Sequence, residues 1–291
     1  MPTKQRIDVL PVLALLCAAL FWGLLWFPMR WLAAHGMPGL WATTLLFASA
    51  VVAGLPVSWY RRGQLSARPG MMIGLLLSSG WCNTAFILAV LDGQVVRVML
   101  LFYLSPVWAV LLARALLGER MPAAAGMTLV LALGGALIIL WDPSLGIPWP
   151  QDGADWLAIS AGIAFALSNV FIRMAEGVSV ALKTVVSWLG VPLLAGLLLM
   201  LGVGDGVVWS AANVSVAVAL GVLGIGAVGT CLVYGVTHMP VHRSAVILLF
   251  EVLVGAVSAQ WLAGEALGPR ELGGGLLILI AAALAGRHSG A

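Results

Sequence analysis

The sequence has little charge: only 9% of its 291 residues are Asp, Glu, Lys or Arg, whereas 62% are hydrophobic. Soluble domains contain about 25% charged residues, because a surface in contact with water needs them. A soluble fold of this length is therefore excluded, and so is a disordered chain, which would be far more polar. The mean hydropathy of +1.10 indicates a protein surrounded by lipid.

Clustered basic residues and metal-ligand spacings are also missing. The fourteen Lys and Arg residues form no basic stripe, so a nucleic-acid-binding protein is not expected despite the net charge of +3. The cysteines Cys17, Cys82 and Cys231 each lie inside an apolar run, without the spacing of a zinc site or a disulfide framework. We interpret them as small buried side chains, and we expect neither a metal ion nor another cofactor.

Long apolar runs fill the chain instead. A helix needs about 20 apolar residues to cross a hydrocarbon core about 30 Å thick. The segments that meet this requirement are approximately 9–33, 38–60, 70–91, 95–116, 121–141, 154–175, 182–202, 213–237, 242–264 and 270–287. The sequence therefore predicts an all-α integral membrane protein with ten transmembrane helices, the first of which is retained as a membrane helix.

The basic residues are distributed unevenly over this arrangement. With a cytoplasmic N-terminus, eleven of the fourteen Lys and Arg residues fall on the cytoplasmic side and only Arg30, Arg97 and Arg270 on the other. Because basic residues are retained in cytoplasmic loops, we expect both termini in the cytoplasm. The membrane expected for the protein is the cell inner (plasma) membrane.

One pattern of scarce residues occurs twice in the chain. Arg97 and the Gly118-Glu119 pair recur as Arg243 and Gly264-Glu265, each 146 residues later. The match predicts that helices 1–5 and 6–10 are two copies of one unit.

The expected division places the first five-helix repeat in residues 1–145 and the second in residues 146–291. Because five is odd, the second repeat enters the membrane in the opposite orientation. Inverted repeats are typical of secondary transporters, whose substrate site lies near the membrane midplane between the repeats.

Several residues in this frame resemble the drug/metabolite transporter superfamily, in its EamA-type ten-helix branch. They are Trp22-Gly23 in helix 1, Ser105-Pro106 in helix 4, and the Gly-Glu pairs that close helices 4 and 9. Helix 9 departs from the family in carrying Glu251-Val252 where Glu-Pro is frequent, so no proline kink is expected there. Within the superfamily the chain is most similar to the YddG-type exporters, which implies export of aromatic and other neutral amino acids.

Glu251 is the acidic residue nearest the middle of a predicted helix. It follows Arg243 by eight residues, or about 12 Å of helix. Since a charge at the centre of a membrane helix costs about 3 kcal/mol, we expect its side chain to face the interior of the bundle. It could couple transport to protons or bind a substrate ammonium; the alternative is a protonated carboxyl that stabilises neighbouring groups.

Other polar or aromatic residues lie at membrane depth and are candidates for lining a substrate cavity. Each is weighed against a structural role, in hydrogen bonding between helices or in packing. The candidates are Trp22, Trp26, Ser79, Asn83, Tyr103, Asn169 and Tyr234. Pro106 is the expected hinge of helix 4, with a static kink as the alternative.

These observations favour a secondary exporter of neutral, largely apolar amino acids. The partners expected are the lipid bilayer, a small-molecule substrate and, if Glu251 is a coupling group, protons. An exporter of lipophilic cations or other metabolites that uses Glu251 is the alternative. A membrane-embedded enzyme is disfavoured, because no set of nucleophile, base and metal ligands is found at membrane depth.

Overall fold

The computed structural model describes residues 9–93, 95–141, 149–263 and 268–287. All regular elements in these ranges are helical, because a backbone inside a membrane must satisfy its own hydrogen bonds. The helices are α1 Val9–Leu24, α2 Trp26–Ala34, α3 Gly39–Arg61, α4 Pro69–Asp92, α5 Val95–Phe102, α6 Ser105–Leu112, α7 Ala123–Leu140, α8 Gly153–Met174, α9 Val180–Met200, α10 Ala211–Ala219, α11 Ala227–His238, α12 Val241–Leu248, α13 Phe250–Ala263 and α14 Pro269–Arg287. Gly264 and Glu265, which belong to the predicted repeat, lie outside the described residues.

Eight segments of the described chain are long and apolar enough to cross a membrane. Three of them include a short 3₁₀ or π-helical segment, as in Ala211–His238, and two others join two helices across a turn, as in Val9–Ala34. The remaining two predicted spans coincide with α7 and α14, whose apolar stretches are shorter, at Ala125–Leu140 and Leu272–Ala285. The helical fold with several candidate membrane spans agrees with the prediction; eight of the ten predicted spans are long and apolar enough to cross a membrane.

The helix that begins the chain is broken in its middle, between α1 and α2 at Leu25. Pro28 lacks the N–H that would bond the carbonyl of Leu24, so the helix cannot continue regularly through this turn. The N–H of Leu25 instead reaches the carbonyl of Trp22, three residues back, at 3.3 Å. Pro192, by contrast, lies inside the uninterrupted helix α9, so a proline within a span does not by itself interrupt the helix.

Two further breaks occur at matching positions of the predicted repeats. Helices α5 and α12 have the same length, and their ends lie 146 residues apart, as the repeat predicts. The first break, before Pro106, contains Tyr103 and Leu104, and the second contains Leu249. Helix 9 is therefore interrupted without the family's proline. At this break the N–H of Val252 donates to the carbonyl oxygen of Leu249, three residues back, at 3.1 Å. This turn is tighter than a turn of regular α-helix.

The helices pack into two groups that exchange one helix between the repeats. The first bundle consists of α4, α5 and α6 together with α8, and the second consists of α11, α12 and α13 together with α1. Helices α3 and α9 pack on each other, as do α7 and α14. Helix α8 of the second repeat packs with helices of the first repeat, and α1 of the first repeat packs with helices of the second. The two bundles are therefore not the two halves of the sequence.

The two ends of the molecule are defined by contacts between helix termini. At the end where α1 begins, called the proximal face, Pro11 of α1 lies beside Gly235 of α11. At the opposite end, the distal face, Arg97 of α5 and Asp155 of α8 form a buried ion pair of 2.7 Å. This pair joins α5 to α8 inside the first bundle.

The cysteines depart in part from their interpretation as buried side chains. Cys82 is buried, but Cys231 is half-buried and Cys17 is exposed. All three are free thiols, and Cys17 of α1 and Cys231 of α11 lie near each other. An exposed side chain within a membrane span contacts lipid. A cysteine is stable there because it behaves as a small apolar side chain.

Glycines bring helix backbones into direct contact at the crossings. A Cβ on Gly190 of α9 would lie 1.9 Å from the carbonyl oxygen of Leu76 on α4, and a Cβ on Gly80 would lie 2.5 Å from the carbonyl oxygen of Gly190. Gly224, Gly226 and Gly229 form a GxGxxG pattern. A Cβ on Gly224 would lie 2.4 Å from the ring of Phe21 on α1. Such small residues are the usual means of close helix packing in membranes.

Gly190 and Gly196 provide a matched test of this packing, since both lie on α9. Gly190→Ala should destabilise the folded protein by about 1–3 kcal/mol, because the new methyl group overlaps α4. Gly196→Ala should be neutral or slightly stabilising, because no described atom apart from the adjacent residues and the neighbouring turns of its own helix backbone lies within 4 Å of its Cβ position. Thermal unfolding of the two purified variants in detergent would measure the difference, and equal midpoints would contradict the crossing.

Candidate functional site

Glu251 lies at the middle of the molecule. It is the second residue of α13, ten residues from the start of the span Val241–Leu262. The positive end of the α13 dipole lies at this turn, so the backbone favours a negative charge there. The side chain is half-buried, which leaves part of it accessible although it lies deep in the span.

Two side chains of the first bundle approach this carboxylate. The hydroxyl of Tyr103 lies near enough to interact with it, and the thiol of Cys82 lies within range of its charge. Tyr103 belongs to the break between α5 and α6, and Cys82 to α4. The candidate site, defined by Glu251, Tyr103 and Cys82, therefore lies at the boundary between the two bundles.

Helix α1 reaches the same place through a glycine. A Cβ on Gly23 would lie 2.7 Å from the carbonyl oxygen of Glu251, so a larger residue would push α1 away from α13. The neighbouring Trp22 is half-buried, and its indole N–H is buried without a hydrogen-bond partner among the described residues. An N–H in this position is a donor that a substrate could use.

Aromatic rings extend from Tyr103 into the first bundle. The ring of Phe102 lies 5.6 Å from that of Tyr103, 4.8 Å from that of Phe86 and 5.8 Å from that of Phe165. Edge-to-face and tilted arrangements at these distances are favourable. The polar group of the site thus adjoins an apolar, aromatic surface.

Trp26 lies one turn beyond Trp22 and has a different environment. Its Nε1 donates a hydrogen bond of 2.9 Å to Oγ of Ser258, which joins α2 to α13. Since the only polar group of this indole is already used, Trp26 holds these two helices together in the described structure.

Ser79 and Asn83 share one face of α4, as their spacing predicts. The amide Nδ2 of Asn83 donates to the carbonyl oxygen of Ser79 at 3.0 Å, so part of its hydrogen-bonding capacity is used within its own helix. Cys82 lies on the same helix, three residues from Ser79. That spacing could have indicated Cys82 as a site residue, but a thiol in an apolar run carries no distinctive signal.

Asn169 on α8 is 1% exposed, and neither its Oδ1 nor its Nδ2 has a hydrogen-bond partner among the described residues. It lies one turn from Phe165, whose ring belongs to the aromatic group. A buried amide without partners costs about 1–3 kcal/mol. It is therefore the candidate residue whose position is hardest to explain by packing alone.

Tyr234 lies away from the middle of the molecule. It is four residues from the last residue of α11, and its ring packs at 4.2 Å on that of His238. This position is closer to the proximal face than to Glu251. Tyr234 is thus not brought to the candidate site.

A polar network occupies the proximal face and includes a buried lysine. The sequence places Lys183 at the membrane surface, yet it is 1% exposed. Its Nζ donates to the carbonyl oxygen of Ile172 at 2.8 Å and to Oγ1 of Thr237 at 3.4 Å. This role could not be predicted from the sequence, because a lysine in the first turn of a helix gives no sign of which carbonyl groups it will meet.

The same face carries an ion pair between Arg173 Nε and Glu119 Oε1 at 3.6 Å. Among the described ranges, no group of three or more His, Cys, Asp and Glu side chains could hold a metal ion. The described residues thus form a helical bundle with a polar site near its centre.

Comparison with known proteins agrees with this geometry. A sequence model of the EamA-like transporter family matches residues 9–141 and again residues 153–287. The chain belongs to the EamA-like transporter family. As a member of this family it is a multi-pass membrane transporter, which requires a lipid bilayer and a small-molecule substrate.

Solved structures support the fold of this EamA-like transporter. One, described only as a crystal structure of a protein, matches with a TM-score of 0.78 and 19% sequence identity, covering 94% of this chain and 96% of the other. At this identity the likeness shows the fold alone. No curated protein matches the chain significantly.

Asn169 and Asn213 test whether the unpartnered amide has a purpose beyond folding. Both are 1% exposed, but Asn213 donates to the carbonyl oxygens of His35 and Val208 at 2.8 and 3.1 Å. Asn213→Leu should destabilise the EamA-like transporter by about 1–3 kcal/mol, because it leaves those carbonyls unpaired, whereas Asn169→Leu should be neutral or stabilising. Chemical denaturation of both variants, without substrate, would show the contrast, and similar losses would indicate that Asn169 has a structural partner.

Proposed function

We propose that the protein is a secondary exporter of neutral, largely apolar amino acids that works by alternating access. The observation that carries this proposal is the carboxylate of Glu251, which lies beside the Tyr103 hydroxyl between two bundles and next to aromatic rings. A carboxylate binds a substrate ammonium, and aromatic rings bind an apolar side chain. A neutral amino acid presents both groups.

The proposed architecture is ten spans in two inverted five-helix repeats, residues 1–145 and 146–291. Helices α5 and α12 begin and end 146 residues apart, which supports the repeat. Breaks in the middle of helices are typical of binding sites in transporters built from inverted repeats, because freed backbone groups face the cavity. Pro106, directly after the first break, remains the proposed hinge.

The substrate-binding residues proposed are Trp22, Tyr103, Asn169 and Glu251, with Cys82 as an addition. Ser79 and Asn83 line the same side of α4, and Trp26 contributes through its bond to Ser258. Tyr234 would act only on the route to the proximal face. The proximal face is proposed to be cytoplasmic, in the inner membrane, since basic residues concentrate there.

Export of lipophilic cations is the second candidate function. A cation on an apolar body would use Glu251 and the same rings, without the carboxylate of an amino acid. The two functions are distinguished by substrates that differ only in that group, such as phenylalanine and phenylethylamine.

The test is uptake and efflux of labelled phenylalanine, leucine, serine and phenylethylamine in proteoliposomes, with or without a pH gradient, and with unlabelled phenylethylamine as competitor of the amino acids. We expect saturable flux of phenylalanine and leucine, stronger than that of serine, and weak competition by the amine. Strong flux of the amine without flux of any amino acid would replace the proposal with the second function. No flux of either would overturn both.

Glu251→Gln should raise the KM for the amino acid by a factor of about 10 or more, because the charge-assisted contact to the ammonium is lost. If protons are coupled through Glu251, the response to the pH gradient should disappear as well. Glu176→Gln is the matched control, because it removes an exposed carboxylate outside the helices. Equal kinetics of the two variants would remove Glu251 from the mechanism.

A further inference from the structure

Four helix termini meet at the proximal face around the carboxylate of Glu119. Its Oε2 accepts a hydrogen bond of 3.1 Å from the backbone N–H of Val241, the first residue of α12. Its Oε1 faces Arg173, near the end of α8, at 3.6 Å. Arg173 in turn donates from Nη1 to the carbonyl oxygen of Thr237, near the end of α11, at 2.9 Å.

These contacts do not all belong to one bundle. Glu119 follows the π-helical segment Ala113–Leu117 that continues α6, and Arg173 belongs to α8, so their ion pair lies within the first bundle. Val241 and Thr237 belong to the second bundle. The bonds Glu119–Val241 and Arg173–Thr237 therefore connect the two bundles across the boundary on which the candidate site lies.

The first bundle is held together at its other end as well. The Arg97–Asp155 pair, with 7% and 2% of the side chains exposed, ties the start of α5 to the start of α8. A buried pair of this kind is costly to break. The first bundle therefore stays together when the bundles separate. The polar contacts that yield at the proximal face are the two bonds between bundles and the bridge through Lys183, which donates to Ile172 of α8 and to Thr237 of α11.

We propose that Glu119 is a positioning residue for transport: it latches α12 to the first bundle and so holds the site between the bundles closed toward the proximal face. The carboxylate caps the N-terminus of α12, where an anion is favoured by the helix dipole, and Arg173 keeps it in place. Movement of α11 and α12 together away from the first bundle breaks both bonds between bundles, which makes the latch a two-state contact.

The latch rests on the proposed alternating access, but its opening can be measured without substrate. Ala245 of α12 is 4% exposed and packs with Ala109 and Ala166 of the first bundle. In a variant without the three native cysteines, Ala245→Cys in nanodiscs reports separation of the bundles through its rate of reaction with a charged thiol reagent. Ala158→Cys, buried with Ala89 and Val98 inside the first bundle, reports general unfolding.

Glu119→Gln should speed the labelling of the cysteine at position 245 about fivefold, since it weakens the interaction of the latch with the helix N-terminus. The cysteine at position 158 should keep its slow rate, and Glu176→Gln should change neither. An unchanged rate at position 245, or equal increases at both positions, would overturn the latch. If Glu119→Gln does not fold, Arg173→Gln must produce the same selective increase, and its failure to do so would overturn the proposal equally.

A transport measurement separates a latch from a residue that only stabilises the fold. Loosening the latch raises the population open to the proximal face, so the apparent KM should fall for substrate offered on that face and rise for substrate offered on the other. A structural role would change both in the same direction. If no amino acid is transported at all, the function fails while the labelling result still decides the latch.

Discussion

The structure depends on one constraint, which is that a backbone in hydrocarbon has no water to bond. Regular helices satisfy it along most of the chain, and a break is tolerated only where other protein groups surround it. The breaks at Leu25, at Tyr103–Leu104 and at Leu249 all lie within candidate spans. The second break contains Tyr103, and the third lies two residues before Glu251. Two of these costly interruptions of the helix therefore lie at the candidate site.

Close contact between backbones follows from the same constraint. Lipid gives helices no hydrophobic reason to associate, so packing of small residues and a few polar bonds must do so. Gly23 lets α1 touch α13 beside Glu251, and Gly162 similarly approaches the carbonyl oxygen of Phe102 at the other break. The breaks at Tyr103–Leu104 and at Leu249 are thus each supported by a helix from the opposite repeat. This exchange of α1 and α8 is what places the central carboxylate between bundles and not inside one of them.

Much of the fold could be predicted because hydropathy and scarce charges are properties of the chain alone. The limits of the helices agree with the apolar segments, and the spacing of 146 residues predicts the equal bounds of α5 and α12. The site was predicted less completely. Glu251, Tyr103 and Trp22 stood out as polar or aromatic groups at membrane depth, whereas Cys82 and Phe86 look like any other apolar helix residue, and Tyr234 proved to lie near a helix end.

The sequence by itself determined that this chain crosses a membrane, that its helices repeat, and that Glu251 lies near mid-span, because these follow from composition and from distance along a helix. Only the tertiary structure decided which helices form each bundle and which polar groups meet. Helix 9 breaks without proline, Lys183 is buried against carbonyl groups, and Glu119 caps a helix of the other bundle. Such pairings depend on how each helix is rotated about its axis and at what angle it crosses its neighbours. The sequence of one helix does not determine this rotation, because it is set by packing against the surfaces of the neighbouring helices.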